Sequence, residues 1–287
     1  MLGILLTAVG SFVEEISISV GKWETSRGKE SVLSLGFLNY FWMTLLFFSF
    51  AFLIPKDFFA PGFPGGFVFS MASLPTFLPR VGLEILQALV GAYSIVIADR
   101  STVGFLGILT IPLLLLVDFV LSYSIGLPQL AGMSLIIASL ILIFINHGIR
   151  RKGMWLVVFT SINAVITISL FKYDVTYFNS VEAEQGLVGL VLVIFFFLMS
   201  ITRTGVNPFR LLKRPIFFMQ SFLMGIGGSL MSFAYFFGTA SIMATAKRAF
   251  NVLFAMLSGK IYFHEKKLWV KLLSFTLIVA GLILLTK

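Results

Sequence analysis

The stretch "ATAKRAFNVLFAMLSGKIYF", residues 244–263, is an apolar run that carries Lys247 and Arg248 inside its length. A cation at the centre of a membrane-spanning helix costs about 2.5–3.5 kcal/mol on an insertion scale, so a pair held there requires counter-charges, water or a ligand. Asn251 and Ser258 follow Lys247 at helical spacing, so a helix would place the three on one polar stripe. The stretch therefore predicts a membrane helix that carries a functional site.

The rest of the chain is similarly apolar. Hydrophobic residues make up 59% of the 287 and charged residues only 11%. Apolar runs of about 20 residues recur, and each is long enough to cross a hydrocarbon core of about 30 Å as a helix. The first run starts at Met1 without a basic leader and is interpreted as a retained span rather than a signal peptide. These features predict an all-α integral membrane protein.

Several chemistries are disfavoured by residue content. The chain has no cysteine, which excludes disulfides, thiolate catalysis and cysteine-ligated metals. His147 and His264 both fall at predicted helix ends, and neither an H-E-x-x-H motif nor a Ser-His-Asp set is evident. We therefore predict no enzyme activity, no cofactor and no metal, with an intramembrane enzyme as a remote alternative.

Ten apolar spans are predicted, joined mostly by short connections. Their ranges are 2–21, 32–54, 76–97, 101–124, 128–147, 153–171, 185–203, 216–238, 240–262 and 267–286. The exception among the connections is 55–75, whose four prolines and three glycines exclude a regular helix. We expect this segment to lie along the membrane interface or to re-enter it.

The two halves of the chain resemble each other. Shifted by 142 residues, "LIIASLILI" (135–143) falls on "LIVAGLILL" (277–285), and Ala92-Tyr93 falls on Ala234-Tyr235. Shifted by 150, matches in the first span include Ser11 with Ser161 and Lys22 with Lys172. The repeats are residues 1–148 and 149–287, each with five spans. Because five is odd, the halves must cross the membrane in opposite directions, which predicts two inverted five-helix repeats, an organisation typical of secondary transporters.

The positions of lysine and arginine predict an orientation. Connections after odd-numbered spans contain thirteen of these residues, and the opposite side contains four. The positive-inside bias then places the first side in the cytoplasm and both termini outside. This distribution also accounts for the net charge of +9 without a nucleic-acid partner.

The ends of both halves resemble the drug/metabolite transporter superfamily in its EamA branch. The resemblance is carried by "TASIMATAKRAFNVLFAMLSGKIYFHEKKLWVKLLSFTLIVAGLILL" (239–285), with Glu265 at the turn. It is carried more weakly by "AYSIVIADRSTVGFLGILTIPLLLLVDFVLSY" (92–123), which keeps Pro112 but has no turn glutamate. The resemblance implies a ten-helix carrier for small organic metabolites, with a cavity lined by the third, fourth, eighth and ninth helices. It also implies cytoplasmic termini, opposite to the charge count.

Charged and polar residues inside the spans are the candidate substrate contacts. Lys247 and Arg248 suit a carboxylate or phosphate, although a fixed intramembrane salt bridge is the alternative. Glu84 and Gln87 share a helix face, but Glu84 could instead pair with Arg80 at the membrane surface. The predicted substrate-binding residues are Lys247, Arg248, Asn251, Gln87, Glu84, Tyr93 and Tyr235, of which the two tyrosines are equivalent under the repeat.

Glu14 and Glu15 in the first span are the candidate ion-coupling residues. A carboxylate without a partner in a low dielectric can carry a proton, and the small multidrug branch of the superfamily uses a first-helix glutamate similarly. The alternative is that one glutamate pairs with Lys247 or Arg248. For Asp118 in the fourth span, a fixed ion pair or a helix cap is favoured over a substrate contact.

These observations together predict a secondary transporter. It would move a small zwitterionic or anionic organic metabolite, amino-acid-like or nucleotide-derived, across the cell (inner) membrane by alternating access. Protons or exchange are the candidate couplings, and membrane lipids are the other expected partners. A lipid or lipid-linked-sugar flippase is the alternative, which would require a groove open to the bilayer.

Overall fold

The computed structural model describes residues 1–26, 31–53, 66–98, 106–147, 152–257 and 268–287. Within these ranges every regular element is helical, which confirms the all-α prediction. Two 3-10 helices, Met71–Ser73 and Pro208–Lys213, precede the third and eighth helices. The α-helices are α1 Leu2–Ser26, α2 Val32–Leu53, α3 Leu74–Ile97, α4 Thr110–Val120, α5 Leu127–His147, α6 Met154–Tyr177, α7 Val181–Thr204, α8 Pro215–Phe236, α9 Ala240–Leu257 and α10 Leu268–Leu285.

Five of these helices, α1, α2, α6, α7 and α8, are long and apolar enough to cross a membrane. Shorter apolar helical stretches are Thr110–Val120, Leu127–Leu142 and Leu273–Leu285. These helices and the apolar composition of the chain indicate a membrane protein.

Helices α6 and α7 extend towards each other beyond the ends that their sequence patterns predict. The structure continues α6 to Tyr177, beyond the predicted end at 171, and begins α7 at Val181, before the predicted start at 185. The extra turns contain Asp174, Glu182 and Glu184, which a hydropathy pattern reads as the end of a span. All three are buried in the structure, so their polarity does not mark a helix end here.

The fourth helix is shorter than the predicted span 101–124. Within the described residues it runs from Thr110 to Val120, and Ser122 has a left-handed φ of 60° that stops it. Residues 101–105 lie outside the described ranges. Ser258, His264 and Glu265 also lie outside them, as do residues 54–65 of the proline-rich connection.

The described end of that connection is bound to the turn between α6 and α7. The backbone N–H of Ser180 donates to the carbonyl of Val68 at 2.8 Å, and the Ser70 N–H donates to Asn179 Oδ1 at 2.8 Å. Ser180 also caps α7, since its side chain accepts from the N–H of Ala183. The start of α3 is thereby fixed to the other half of the chain.

Helices α1, α2 and α8 form one layer of close neighbours. α1 runs antiparallel to α8, because Ser17 Oγ donates to the Gln220 carbonyl at 2.7 Å while Gly3 at the other end of α1 lies against Ala234. α2 runs parallel to α8, with Gln220 Nε2 donating to Asn39 Oδ1 at one level. The crossings α2 with α7 and α5 with α10 are also extensive.

Contacts further along the chain give the remaining directions. α9 is parallel to α1, and α4 is antiparallel to α9, because Gly107 faces Arg248 while Asp118 faces Ser241. α6 is parallel to α4 and antiparallel to α3, since Thr76 Oγ1 donates to Asp174 Oδ1 at 2.5 Å. α2 and α7 are antiparallel, with Ser34 bonded to Ser200 at one end and Thr44 against Gly189 further along, as are α5 and α10.

Two charged residues from other helices stabilise the connection between α8 and α9. Lys172 Nζ donates to the carbonyls of Tyr235 and Phe236 at 2.9 and 3.4 Å, which places a cation at the C-terminus of α8. Asp118 Oδ2 accepts from the N–H of Ser241 at 2.8 Å, which places an anion at the N-terminus of α9. Of the two roles predicted for Asp118, a fixed ion pair or a helix cap, the structure shows a cap, on α9.

Candidate functional site

A cavity of about 270 Å³ lies between α1, α2, α3, α6, α7, α8 and α9. Most of its wall is apolar, with several charged and amide side chains facing inward. The polar residues that line it are Glu14, Asn39, Tyr40, Arg80, Glu84, Thr167, Gln185, Ser232, Tyr235 and Lys247. A largely apolar cleft with a few convergent polar groups is the usual form of a small-molecule site.

One charged pair in the wall joins α1 to α9. Lys247 Nζ lies 2.7 Å from Glu14 Oε2, and the two side chains are 30% and 9% exposed. Gly227 of α8 provides the room for this carboxylate, because a Cβ at position 227 would lie 2.7 Å from Glu14 Cγ. The sequence-based alternative, in which one first-helix glutamate pairs with Lys247 or Arg248, corresponds to this geometry.

Arg80 of α3 is the second cation of the wall, and its side chain is only 1% exposed. Its Nη1 lies 2.5 Å from Glu184 Oε1, and its Nη2 donates to Gln185 Oε1 at 3.0 Å. The guanidinium also lies 4.7 Å from the ring centroid of Phe171. Arg80 therefore joins α3 to α6 and α7 by an ion pair, a hydrogen bond and a cation–π contact.

Glu184 is oriented by a further amide. Asn179 Nδ2 donates to Glu184 Oε2 at 2.5 Å and to Ser73 Oγ at 3.0 Å. Since Asn179 also holds the chain at Ser70, this carboxylate is fixed from the side opposite Arg80. The pairing is thus built into the fold rather than formed by two mobile surface side chains.

Glu84 lies one helical turn after Arg80. Its carboxylate is 3.9 Å from Arg80 Nη2, and its side chain is 20% exposed. The spacing of the two residues predicts, as one alternative, an ion pair at the membrane surface. The pair is present, but Arg80 is buried in the cavity wall, so the contact belongs to the cavity rather than to the protein surface.

The structure brings together four of the residues that the sequence analysis singled out. Glu14, Glu84, Tyr235 and Lys247 all line the cavity. Tyr235 is held there by the interaction of Lys172 with its backbone carbonyl. These four side chains come from α1, α3, α8 and α9.

The other predicted site residues do not line the cavity. Arg248 packs on Gly107, where an added Cβ would lie 2.7 Å from the guanidinium carbon. Gln87 Oε1 accepts a hydrogen bond from Asn163 Nδ2 at 2.9 Å, which joins α3 to α6. Tyr93 is 41% exposed on the outer surface, so it does not flank the cavity symmetrically with Tyr235.

Asn251 and Glu15 are the two remaining predicted site residues. Asn251 is partly buried on α9, and its Oδ1 has no hydrogen-bond partner among the described residues. Glu15 is partly buried on α1 and, unlike Glu14, is absent from the described cavity wall. Adjacent residues on a helix point about 100° apart, which explains why only one of the two glutamates faces the cavity.

Sequence reasoning missed Arg80, Gln185, Asn39 and Tyr40 as wall residues. Arg80 lies near the predicted start of the third span and follows Pro79, so its charge was assigned to the preceding connection when the orientation was predicted. The available signal was the spacing of Arg80 and Glu84, four residues apart within one helix. Their other partner, Glu184, is remote in sequence and carries no comparable local signal.

Comparisons with known proteins support the fold alone. No family model matches the sequence, and no curated protein matches it. One solved structure, described only as the crystal structure of a protein, superposes with a TM-score of 0.61 at 12% identity and covers 98% of each chain. At that identity the similarity extends to the whole arrangement of helices and not to a function.

Proposed function

We propose that this protein is a ten-helix membrane carrier in which two inverted five-helix halves enclose the charged cavity. It moves a small zwitterionic or anionic organic metabolite by alternating access. The single observation that carries the proposal is the cavity itself, because helices of both halves form its wall and present both signs of charge to it. Inverted-repeat transporters bind their substrates at such a meeting place between repeats.

The directions of the helices support the inverted repeat. α4 is antiparallel to α9 and α6 is parallel to α4, while α9 is parallel to α1, so α6 runs opposite to α1. The same reasoning makes α3 and α8 opposite, and direct contacts make α2 and α7, and α5 and α10, opposite. Each helix of the first half is therefore antiparallel to its proposed equivalent.

The crossing of α5 with α10 gives residue-level support. Ser139 Oγ donates to the carbonyl of Ser274 at 2.9 Å. Applying the 142-residue shift exchanges this pair for Gly281 and Gly132, which also meet: a Cβ on Gly132 would lie 2.7 Å from the Gly281 carbonyl. Two contacts on one crossing are thus related by the exchange of halves that the repeat requires.

The wall residues have distinct roles in this proposal. Lys247 and Arg80 supply positive charge, while Glu14 and Glu84 supply negative charge. Glu14, already paired with Lys247, is the candidate proton-coupling group, because proton uptake would release Lys247 from it. As parts of the same proposal, we assign the chain to the drug/metabolite transporter superfamily, on the resemblance of residues 239–285 and 92–123, and to the cell (inner) membrane.

The absence of cysteine from the sequence allows a direct test. Ser232 lines the cavity, and its near-isosteric replacement Ser232→Cys introduces one thiol there. Uptake of a pooled metabolite panel is measured in proteoliposomes before and after treatment with a bulky thiol reagent. We expect uptake by the wild type, unaffected by the reagent, and uptake by Ser232→Cys that the reagent blocks.

The matched control is Ser139→Cys. Ser139 is fully buried between α5 and α10, away from the cavity, so the reagent should leave its uptake unchanged. Failure of the wild type to take up any compound, or full uptake by modified Ser232→Cys, would refute the proposal.

A further inference from the structure

The close ion pairs around the cavity leave one lining carboxylate without a cation of its own. Among the described residues that line it, the cations are Arg80 and Lys247 and the carboxylates are Glu14 and Glu84. Lys247 is matched by Glu14, and Arg80 is matched by Glu184 from outside the lining set. Glu84 is the carboxylate left over, because among the described residues its ion pair is with Arg80, which lies closer to Glu184.

Distance and exposure distinguish Glu84 from the other two carboxylates. The Glu14 and Glu184 pairs are 2.7 and 2.5 Å long, which is the range of charge-assisted hydrogen bonds. Glu84 lies 3.9 Å from its cation, which is too far for a hydrogen bond. Its side chain is 20% exposed, against 9% for Glu14 and 0% for Glu184, so it is the carboxylate most accessible to a ligand in the cavity.

The surroundings of Glu84 suit a positively charged group. Tyr40 and Tyr235 contribute to the same wall, and the faces of aromatic rings attract ammonium groups. The methionines and aliphatic side chains between them make the wall largely apolar, which strengthens an ion pair formed inside it.

We infer that Glu84 binds the ammonium group of the substrate, so that the carrier recognises amines, as zwitterions or cations, and discriminates against simple anions. This inference rests on the proposed function and narrows its substrate class. A ligand ammonium at Glu84 would give this carboxylate a cation at hydrogen-bonding distance, which Arg80 at 3.9 Å does not. The volume of about 270 Å³ suits a molecule of amino-acid size.

The test is a binding measurement on purified protein in detergent, by ligand-induced shift of the melting temperature. The probes are L-alanine, L-leucine and L-phenylalanine, each compared with its N-acetyl derivative and with the amine that lacks the carboxylate. We expect at least one amino acid or amine to stabilise the wild type, and every N-acetyl derivative to fail. In Glu84→Gln the apparent affinity for the binding compound should fall by at least about tenfold.

Glu182→Gln is the matched control. Glu182 is fully buried on α7 outside the described cavity wall, and its carboxylate oxygens have no hydrogen-bond partner among the described residues. Its variant should therefore bind the probe as the wild type does. If Glu84→Gln does not fold, the inference is tested by the order in which the nine compounds raise the melting temperature of the wild type.

The inference is overturned if no amine or amino acid binds, if the N-acetyl derivatives bind equally, or if Glu84→Gln retains full affinity. This failure is distinct from failure of the proposed function. If the protein takes up a metabolite that has no amine and binds no amine, the proposed carrier function stands and the ammonium site at Glu84 is rejected. If amines bind in a way that depends on Glu84 but no compound is taken up, the ammonium site stands and the proposed carrier function is rejected.

Discussion

The crossings of α1 with α8 and of α3 with α6 would be equivalent under the proposed repeat, yet their chemistry differs. α1 and α8 meet at Gly10 and Gly227, where an added Cβ on either glycine would lie 3.0 or 2.9 Å from the carbonyl of the other. α3 and α6 meet through side chains, with Asn163 donating to the Leu83 carbonyl and to Gln87. The α1–α8 crossing combines close backbone packing with the Ser17–Gln220 hydrogen bond, whereas the α3–α6 crossing has polar contacts without glycine packing.

The glycines of α3 confirm that the difference is real. An added Cβ on Gly82 or Gly91 would meet nothing within 4 Å, so neither glycine serves a close helix contact. Small residues let helices approach closely without leaving a polar group unpaired in the membrane, while polar crossings need every partner in place. The two halves therefore use one arrangement of helices with two different sources of stability.

The largest effect is expected from Arg80→Met, which removes the ion pair between α3 and α7 and the cation–π contact between α3 and α6. It leaves Glu184 fully buried without its cation, and breaking a buried ion pair from one side costs about 3–5 kcal/mol. Denaturant unfolding of the purified protein in detergent, followed by circular dichroism, measures the loss. Adding Glu184→Gln should recover a large part of it, and a double variant as unstable as the single one would contradict this account.

A smaller effect is expected from Gly227→Ala, which tests the packed side. The new Cβ would lie 2.7 Å from Glu14 Cγ and 2.9 Å from the Gly10 carbonyl, and overpacking of this kind costs about 1–3 kcal/mol. Gly82→Ala is the control, since the open space around it should leave stability unchanged or improve it by up to about 1 kcal/mol. Equal unfolding free energies for the two variants would show that the α1–α8 crossing is not closely packed.

The sequence predicted that the chain is helical, but it did not predict which residues of different helices contact each other. Apolar runs predicted the all-α fold because helix formation follows local pattern, whereas the helix that Asp118 caps, α9, lies in the other half of the chain. The choice between Glu14 and Glu15, or between Lys247 and Arg248, depends on how two helices are rotated about their axes. Nothing local in the sequence fixes that rotation, which is set by contacts such as Gly227 against Glu14.

The buried acidic residues illustrate a second limit. Glu184 and Asp174 fall in the connection between the predicted spans 153–171 and 185–203, and a carboxylate in an apolar environment is costly unless it is paired. Their partners are Arg80 and Thr76, which lie in the other half of the chain. A pattern that treats each span separately cannot reveal a pairing between halves.

The smallest effect is expected from Asn163→Leu, which sharpens the comparison at the centre of the α3–α6 crossing. The change removes hydrogen bonds of 2.9 Å each to the Leu83 carbonyl and to Gln87 Oε1, and interhelical hydrogen bonds in membranes contribute about 0.6 kcal/mol on average. Unfolding free energies should fall by about 1 kcal/mol on that scale. Because the pair acts as a unit, Gln87→Leu should cost little more once Asn163 is replaced. Additive losses in the double variant would show that the two amides stabilise the crossing independently, and the polar crossing would then need another explanation.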